Sequence, residues 1–342
     1  MKKAKAPITL IRRLAVAEAL ALSVAAIGIK PHNAALDHNE VCFANEARFG
    51  EAFFSQGLTE YSVGWKDPND IEAITDFIAP PVEVPRFFEY AIMNNPEEFY
   101  RDTDDERAIG SDFKEVEYTE TKTTGKTANR GLAIRVDLDQ VSDKVNWRED
   151  YTNRLLRRIK RSSLVRAFTL VSAAATNTAK TWDTTAGKDP DKDVESELVS
   201  AADTSGLRPN RVVFGDTAWD KRRLSHRAQN TAGGYASAGL KPDELAGYLG
   251  VEGVRVSRER FQSSAAAKSQ VVNNVVLLSY GITGANTDDG TNAKRFWSPC
   301  ENGTKYRVYE RQLSAKIYEI VVEHYELPKI TSTLGLRKLT IS

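Results

Sequence analysis

The stretch Leu207–His226, LRPNRVVFGDTAWDKRRLSH, decides the fold reading. Arg208-Pro209-Asn210 signals a polar turn, because proline fixes its own backbone and pushes the preceding residue out of the helical region. Val212, Val213 and Phe214 follow, an apolar run that suits a short strand. Gly215-Asp216 breaks that strand. The residues after it read as a helix ending in Lys and Arg, with His226 at the negative end of the helix dipole, a placement that needs no other role.

Working outward, a helix is expected from about Asp143 to Ala175, ending in LVRAFTLVSAAAT. Steps of about 100° per residue put Leu155, Leu156, Ile159 and Leu170 on one side and Arg154, Arg157, Arg158, Lys160 and Arg161 on the other. Thr176–Asp193 reads as a loop and Asp193–Ala202 as a short helix. Downstream, Gln229–Gly239 is rich in Gly, Ala and Ser and reads as a flexible loop, and Pro242–Leu249 as a short helix. Val251–Val256 and Val271–Tyr280 are strand candidates, Ile282–Lys294 is a Gly/Asn/Asp loop, and Tyr306–Leu327 favours long strands.

The N-terminal part is different in kind. Residues 1–75 read as an arm that begins with a helical stretch, Pro7–Ala26. Lys2, Lys3 and Lys5 before an apolar run look like a signal peptide, but Arg12, Arg13 and Glu18 interrupt the run. The uninterrupted part falls short of the roughly 20 residues that cross a bilayer. An amphipathic helix held by a neighbour is the preferred reading. Pro80, Pro81 and Pro85 exclude a helix and fit an extended crossing segment. Glu98–Asp137, charged and rich in Thr, reads as a long two-stranded hairpin with Lys122–Thr127 at its polar tip.

A long helix, a polar insert, then "RPN, apolar strand, Gly, aromatic, basic helix" resembles the major capsid proteins of tailed bacteriophages, with the Hong-Kong-ninety-seven type capsid fold. The local motif is Arg208-Pro209-Asn210 to Trp219, and the order of elements extends the resemblance over most of the chain. It implies an α+β fold with an N-terminal arm (1–75), an extended β-hairpin loop region (76–140), a peripheral domain with a long spine helix (141–224), an axial domain (225–303) and return strands of the peripheral domain (304–342). It also implies a subunit that self-assembles, as pentamers and hexamers, into an icosahedral or prolate shell around double-stranded DNA. Scaffold, portal and decoration proteins are implied partners, and the location is the virion, after assembly in the host cytoplasm. In the family the spine helix lies along the inner surface, which makes Arg154, Arg157, Arg158, Lys160 and Arg161 candidates for non-specific contact with the genome. Ion pairing of these residues with nearby acidic groups, such as Glu149 and Asp150, is the competing expectation. Lys114, Lys122 and Lys126 are the candidate intersubunit lysines of the hairpin. No local pattern marks an Asn partner for covalent cross-linking.

Composition narrows the alternatives. Hydrophobic residues make up 41% and charged residues 27% of the 342, so the chain is globular. Lys+Arg and Asp+Glu are both 47, a formal net charge of zero. Neutrality suits a chain that packs against copies of itself and argues against a dedicated nucleic-acid binder, which is normally basic. Cys42 and Cys300 are far apart, so neither a disulfide scaffold nor a cysteine zinc site is expected. There is no GxGxxG, P-loop, GxSxG or HExxH. His32, His38 and Cys42 lack a fourth ligand of matching spacing. The acidic runs Asp102–Glu106 and Asp189–Glu195 lack EF-hand spacing and are expected to be solvated loops. No enzyme, cofactor, metal or membrane role is therefore expected. Three other readings stay open: an encapsulin-like compartment shell, a secreted or membrane-attached binding protein, and an enzyme with an unrecognised site.

Overall fold

The computed structural model describes residues 53–94, 105–107, 110–113, 121–141, 143–301 and 303–342. Two short helices come first. α1 (Gln56–Gly64) starts at Ser55, whose hydroxyl accepts from the Leu58 N–H. α2 (Ile71–Ile78) buries Ile71, Thr75 and Ile78, one stripe at helical spacing. Pro80 and Pro81 end it, and β1 (Pro81–Glu83) and β2 (Phe87–Ile92) follow. β3 (Thr121–Lys126) runs with one intervening residue into β4 (Ala128–Asp137). The long helix α3 spans Trp147–Ala174 and leads to β5 (Thr176–Lys180). α4 (Pro190–Ser205) has Asp189 as its cap, proline in its first turn and Gly206 closing it at φ 72°.

The decisive stretch forms β6 (Arg211–Gly215) and α5 (Asp216–Ala228). Then come α6 (Ala232–Gly239), α7 (Pro242–Leu249) and β7 (Gly253–Ser257). A small hairpin, β8 (Arg260–Gln262) and β9 (Lys268–Gln270), precedes β10 (Val275–Ser279). The chain closes with β11 (Ala293–Ser298), β12 (Arg307–Gln312), β13 (Ile317–Ile330) and β14 (Arg337–Ile341).

Two five-stranded sheets organise these elements. One has the order β1-β11-β13-β12, with β4 on the other side of β13; the second runs β5-β14-β10-β6-β7. β6 is an interior strand of the second, antiparallel to β10 and parallel to β7. Its alternation explains the apolar run: Val212 and Phe214 pack with Trp182, Leu198, Trp219 and Leu245, while Val213 packs with Ile71, Leu164 and Val171 on the opposite face. Each of these three side chains is fully buried, a contribution of about 1.5–3 kcal/mol apiece. Gly215 is required by proximity. A Cβ there would lie 1.7 Å from the Asn273 carbonyl oxygen and 2.7 Å from that of Val272.

The structure corrects several expectations. The expected hairpin across Glu98–Asp137 does not form around Lys122–Thr127. β3 pairs antiparallel with β2, and β4 pairs antiparallel with β13 over ten residues, Ala128–Asp137. Thr127 is buried, with its hydroxyl 2.7 Å from that of Ser298 and its N–H bonded to the Arg86 carbonyl, so it continues the strand instead of turning it. Gly125 makes the β2 pairing feasible, since a Cβ would lie 2.6 Å from the Phe88 ring. The long helix begins at Trp147, four residues later than expected, after a 3-10 turn at Leu138–Gln140 capped by the Asp137 carboxylate.

Within the expected Thr176–Asp193 loop lies β5, which has no apolar pattern of its own and exists through parallel pairing with β14. Within the expected Gln229–Gly239 loop lies α6, capped by the Thr231 hydroxyl. The arm reading of 1–75 meets a limit: Leu58 and Ile71 are core residues, so 53–75 belongs to the folded body, while the Pro7–Ala26 helix lies outside the described residues. Boundaries at 224/225 and 303/304 also divide one continuous sheet, since β6, β7, β10 and β14 are hydrogen-bonded neighbours.

Candidate assembly and nucleic-acid surfaces

The basic side chains of α3 do not form one free stripe. Lys160 is buried, because it sits beside Ile159 and one turn from Leu156 at the margin of the apolar face, where α2 packs. Its ammonium lies 2.8 Å from Glu72 and 4.9 Å from the Trp65 ring centroid. Arg157 approaches Asp67 at 3.5 Å and Arg161 approaches Glu259 at 3.3 Å. Thus Arg157, Lys160 and Arg161 are held by carboxylates of the same chain, though not by Glu149 and Asp150. Arg154 and Arg158, one turn apart, remain exposed. The Arg154 guanidinium lies 4.8 Å from the Tyr151 ring centroid.

Of the hairpin lysines, Lys114 lies outside the described residues. Lys122 and Lys126 are exposed on β3, and the Lys126 ammonium sits 4.8 Å from the Phe87 ring centroid.

The sequence reading missed a buried ionic junction where α2, α3, β11 and β13 meet. Glu72 contacts Lys160 and Lys305, and Arg295 contacts Asp76 and, at 3.5 Å, Glu326. Glu326 also accepts from Ser163 and Arg166. Burial opposes ionisation of Glu72, but Lys305 and Lys160 outweigh it and bring its pKa down to about 2. Burial likewise opposes the Glu326 charge, yet the neighbouring His324, Arg295, Ser163 and Arg166 hold it well below the usual carboxylate range. Asp76 goes the other way: there burial exceeds the attraction of Arg295 and raises its pKa. One signal was present in the sequence. Lys294 and Arg295 fall inside the apolar run Ala293-Phe296-Trp297, where a strand buried on both faces obliges each charge to find a partner.

A second buried cluster ties the decisive stretch to α4. Arg222 forks onto Asp191 with contacts of 2.6 and 2.8 Å, and His226 Nε2 lies 3.1 Å from the same carboxylate. Burial opposes the Asp191 charge, but His226 and Arg222 together lower its pKa. His226 therefore has a role beyond the helix dipole. The run Asp189–Glu195 is not a solvated loop either: Asp189 caps α4, Asp191 is buried, and Asp193 accepts from the Trp182 indole at 2.9 Å. These groups are consumed by structure, and they fasten helices to sheets where apolar contact alone would leave polar ends unmatched.

No family model matches the sequence, and no curated protein matches it. The solved structures are compared with this chain through its fold, α+β with two five-stranded sheets and a long helix. A phage-related protein from Bordetella bronchiseptica RB50 aligns with a TM-score of 0.62 and 16% identity, covering 84% of this chain and 96% of that one. The capsid structure of the Cyanophage P-SCSP1u aligns with a TM-score of 0.51 and 9% identity, covering 78% of this chain and 86% of that one. At such identities the likeness is one of fold. Among the described residues no helix is long and apolar enough to cross a membrane.

Proposed function

We propose that this chain is a major capsid protein, a structural and non-enzymatic subunit that self-assembles as pentamers and hexamers into a shell enclosing phage DNA. The observation that carries this reading is the fold shared with a capsid subunit over 78% of the chain. The polar clusters agree with it, since the buried charges found here are paired with one another instead of lining a cleft. In this reading the first sheet and α3 form the peripheral domain, and the second sheet with α4–α7 forms the axial domain. That division follows the strand pairing instead of the boundaries at 224/225 and 303/304. Arg154 and Arg158 are the genome-facing residues. Their contact is electrostatic and reads no sequence. Scaffold, portal and decoration proteins are the further partners, with assembly in the host cytoplasm and the virion as the final location.

Negative-stain microscopy of the purified protein tests this directly. Hollow shells are expected, with nuclease-protected DNA inside those recovered from infected cells. Shells that enclose an enzyme and no DNA would instead identify a cargo compartment, and a monodisperse monomer under all conditions would refute both.

A further inference from the structure

β7 is an edge strand: among the described residues it pairs with β6 alone. The Glu252 N–H donates to the Asn210 carbonyl, on the β6 side. Strand alternation therefore turns both backbone groups of Arg255 to the free edge. Ser257 is fully buried, which centres the open part of that edge on Arg255. A cleft of about 610 Å³ lies over it, with α2 and the start of α7 as walls. Open sheet edges invite pairing with other sheets, and proteins shield them. Here the walls obstruct a second folded sheet with its own covering helices, and they leave room for one extended segment.

The two walls differ in chemistry. Val254 and Val256 face α7, the first in the core and the second half-buried. Arg255 faces α2, where its guanidinium lies 5.9 Å from the Phe77 ring centroid. It is exposed and has no ion pair among the described residues. The Phe77 ring lies against Gly253, whereas Asn69 donates to Glu259 at 3.1 Å, so α2 starts at the far end of β7. Asp70 stands there, exposed, and its side chain makes no capping hydrogen bond. The other charges near that end are engaged: Glu259 meets Arg161 at 3.3 Å, and Arg258 meets Asp216 at 3.7 Å.

We propose that this cleft takes an extended segment of a second protein as a further, antiparallel strand beside β7. The segment carries an acidic residue opposite Arg255, β-branched residues on either side of it and a basic residue at the Asp70 end. The antiparallel direction lets one residue exchange both backbone hydrogen bonds with Arg255. The side chain of that residue falls on the same face as the guanidinium, where a carboxylate is the complementary group. Its two neighbours fall on the α7 face and cover Val254 and Val256. Two positions from the acidic residue the α2 face returns, beside Asp70, which calls for a cation. Main-chain bonds supply affinity and the alternating side chains supply selectivity. The proposal goes beyond the shell reading and does not rest on it.

The test follows the fluorescence anisotropy of a synthetic peptide, N-terminally fluorescein-labelled TKVEVT-amide, titrated with the full-length chain. Saturable binding is expected with a Kd of about 1 mM or below; its absence overturns the proposal. Arg255→Glu, an exposed change, should weaken binding by about tenfold at an unchanged melting temperature, and TKVKVT should recover it on that variant. Methylating the backbone nitrogen of the peptide's glutamate, which faces Arg255, should cost about tenfold, the worth of one hydrogen bond. Methylating the nitrogen of the valine before it, which faces away, should leave binding within about twofold. Equal effects of the two methylations, or wild-type binding by Arg255→Glu, would refute strand addition and leave the shell reading standing. Light scattering decides the remaining occupant: if the peptide and Arg255→Glu each dissolve oligomers of the wild-type chain, the cleft serves a second copy and the proposal fails.

Discussion

Replacing Gly215 with alanine is the sharpest perturbation of the decisive stretch. The glycine has an ordinary negative φ of −71°, so the effect is purely one of space. The new Cβ would lie 1.7 Å from the Asn273 oxygen. Comfortable contact requires that backbone to retreat by about 1.5 Å. The retreat is opposed because Asn274 accepts from the Ile341 N–H at 2.8 Å and because β10, which follows at once, pairs with β6 itself. Overpacking of a core usually costs about 1–3 kcal/mol, and a clash between backbones belongs at or above the upper end. A loss of about 3 kcal/mol corresponds to a fall in melting temperature of roughly 4 °C for a chain of 342 residues. Differential scanning calorimetry of the unassembled subunit reads this out. Gly57→Ala is the control, since its Cβ meets nothing within 4 Å in a helix, and it should hold or raise the melting temperature. A Gly215→Ala subunit melting within 2 °C of wild type would refute the close-approach argument.

Other outcomes follow from the buried charges. Arg222→Leu leaves Asp191 buried without its main cation and should lose about 3–5 kcal/mol in urea unfolding; an unchanged midpoint would contradict the assignment. Lys294 is fully buried and donates to the carbonyls of Thr287 and Asp289 at 3.2 and 2.8 Å. Lys294→Met should therefore cost about 2–4 kcal/mol by the same assay. Glu72 is depressed from 4.5 to about 2. A lowered carboxylate pKa stabilises the fold fully above the unfolded value, and this is lost as pH falls through the folded one. The contribution is about 3 kcal/mol, disappearing between about pH 5 and 2, and Glu72→Gln should flatten stability over that window. Replacing Arg154 and Arg158 with Gln should leave shells intact, weaken DNA retention and make the logarithmic salt dependence of DNA binding shallower by about 2; failure to assemble would assign these residues to subunit contacts instead.

The parts legible in the sequence were those fixed locally. Val212, Val213 and Phe214 announce a short apolar strand, and the short helix expected over Pro242–Leu249 has those limits in the structure. The parts that were not legible depend on partners distant in the chain. TNTAK is a strand only because Arg337–Ile341 lies beside it, and Thr127 reads as a turn residue until Ser298 is seen against its hydroxyl. The α3 cations illustrate the same limit. A helical wheel separates Lys160 from Leu156, but it cannot show that α2 brings Glu72 to the boundary between them. Gly-Ala-Ser composition misled at α6, where a single Thr231 cap suffices to hold a short helix against α5.

The central claim is that this fold builds a closed shell, and cryo-electron microscopy of particles purified from producing cells tests it most directly. The account predicts hollow particles in which this chain occupies both pentamers and hexamers, with Arg154 and Arg158 of α3 on the inner surface. A reconstruction showing an isolated subunit, or an open assembly with α3 facing outward, would contradict it.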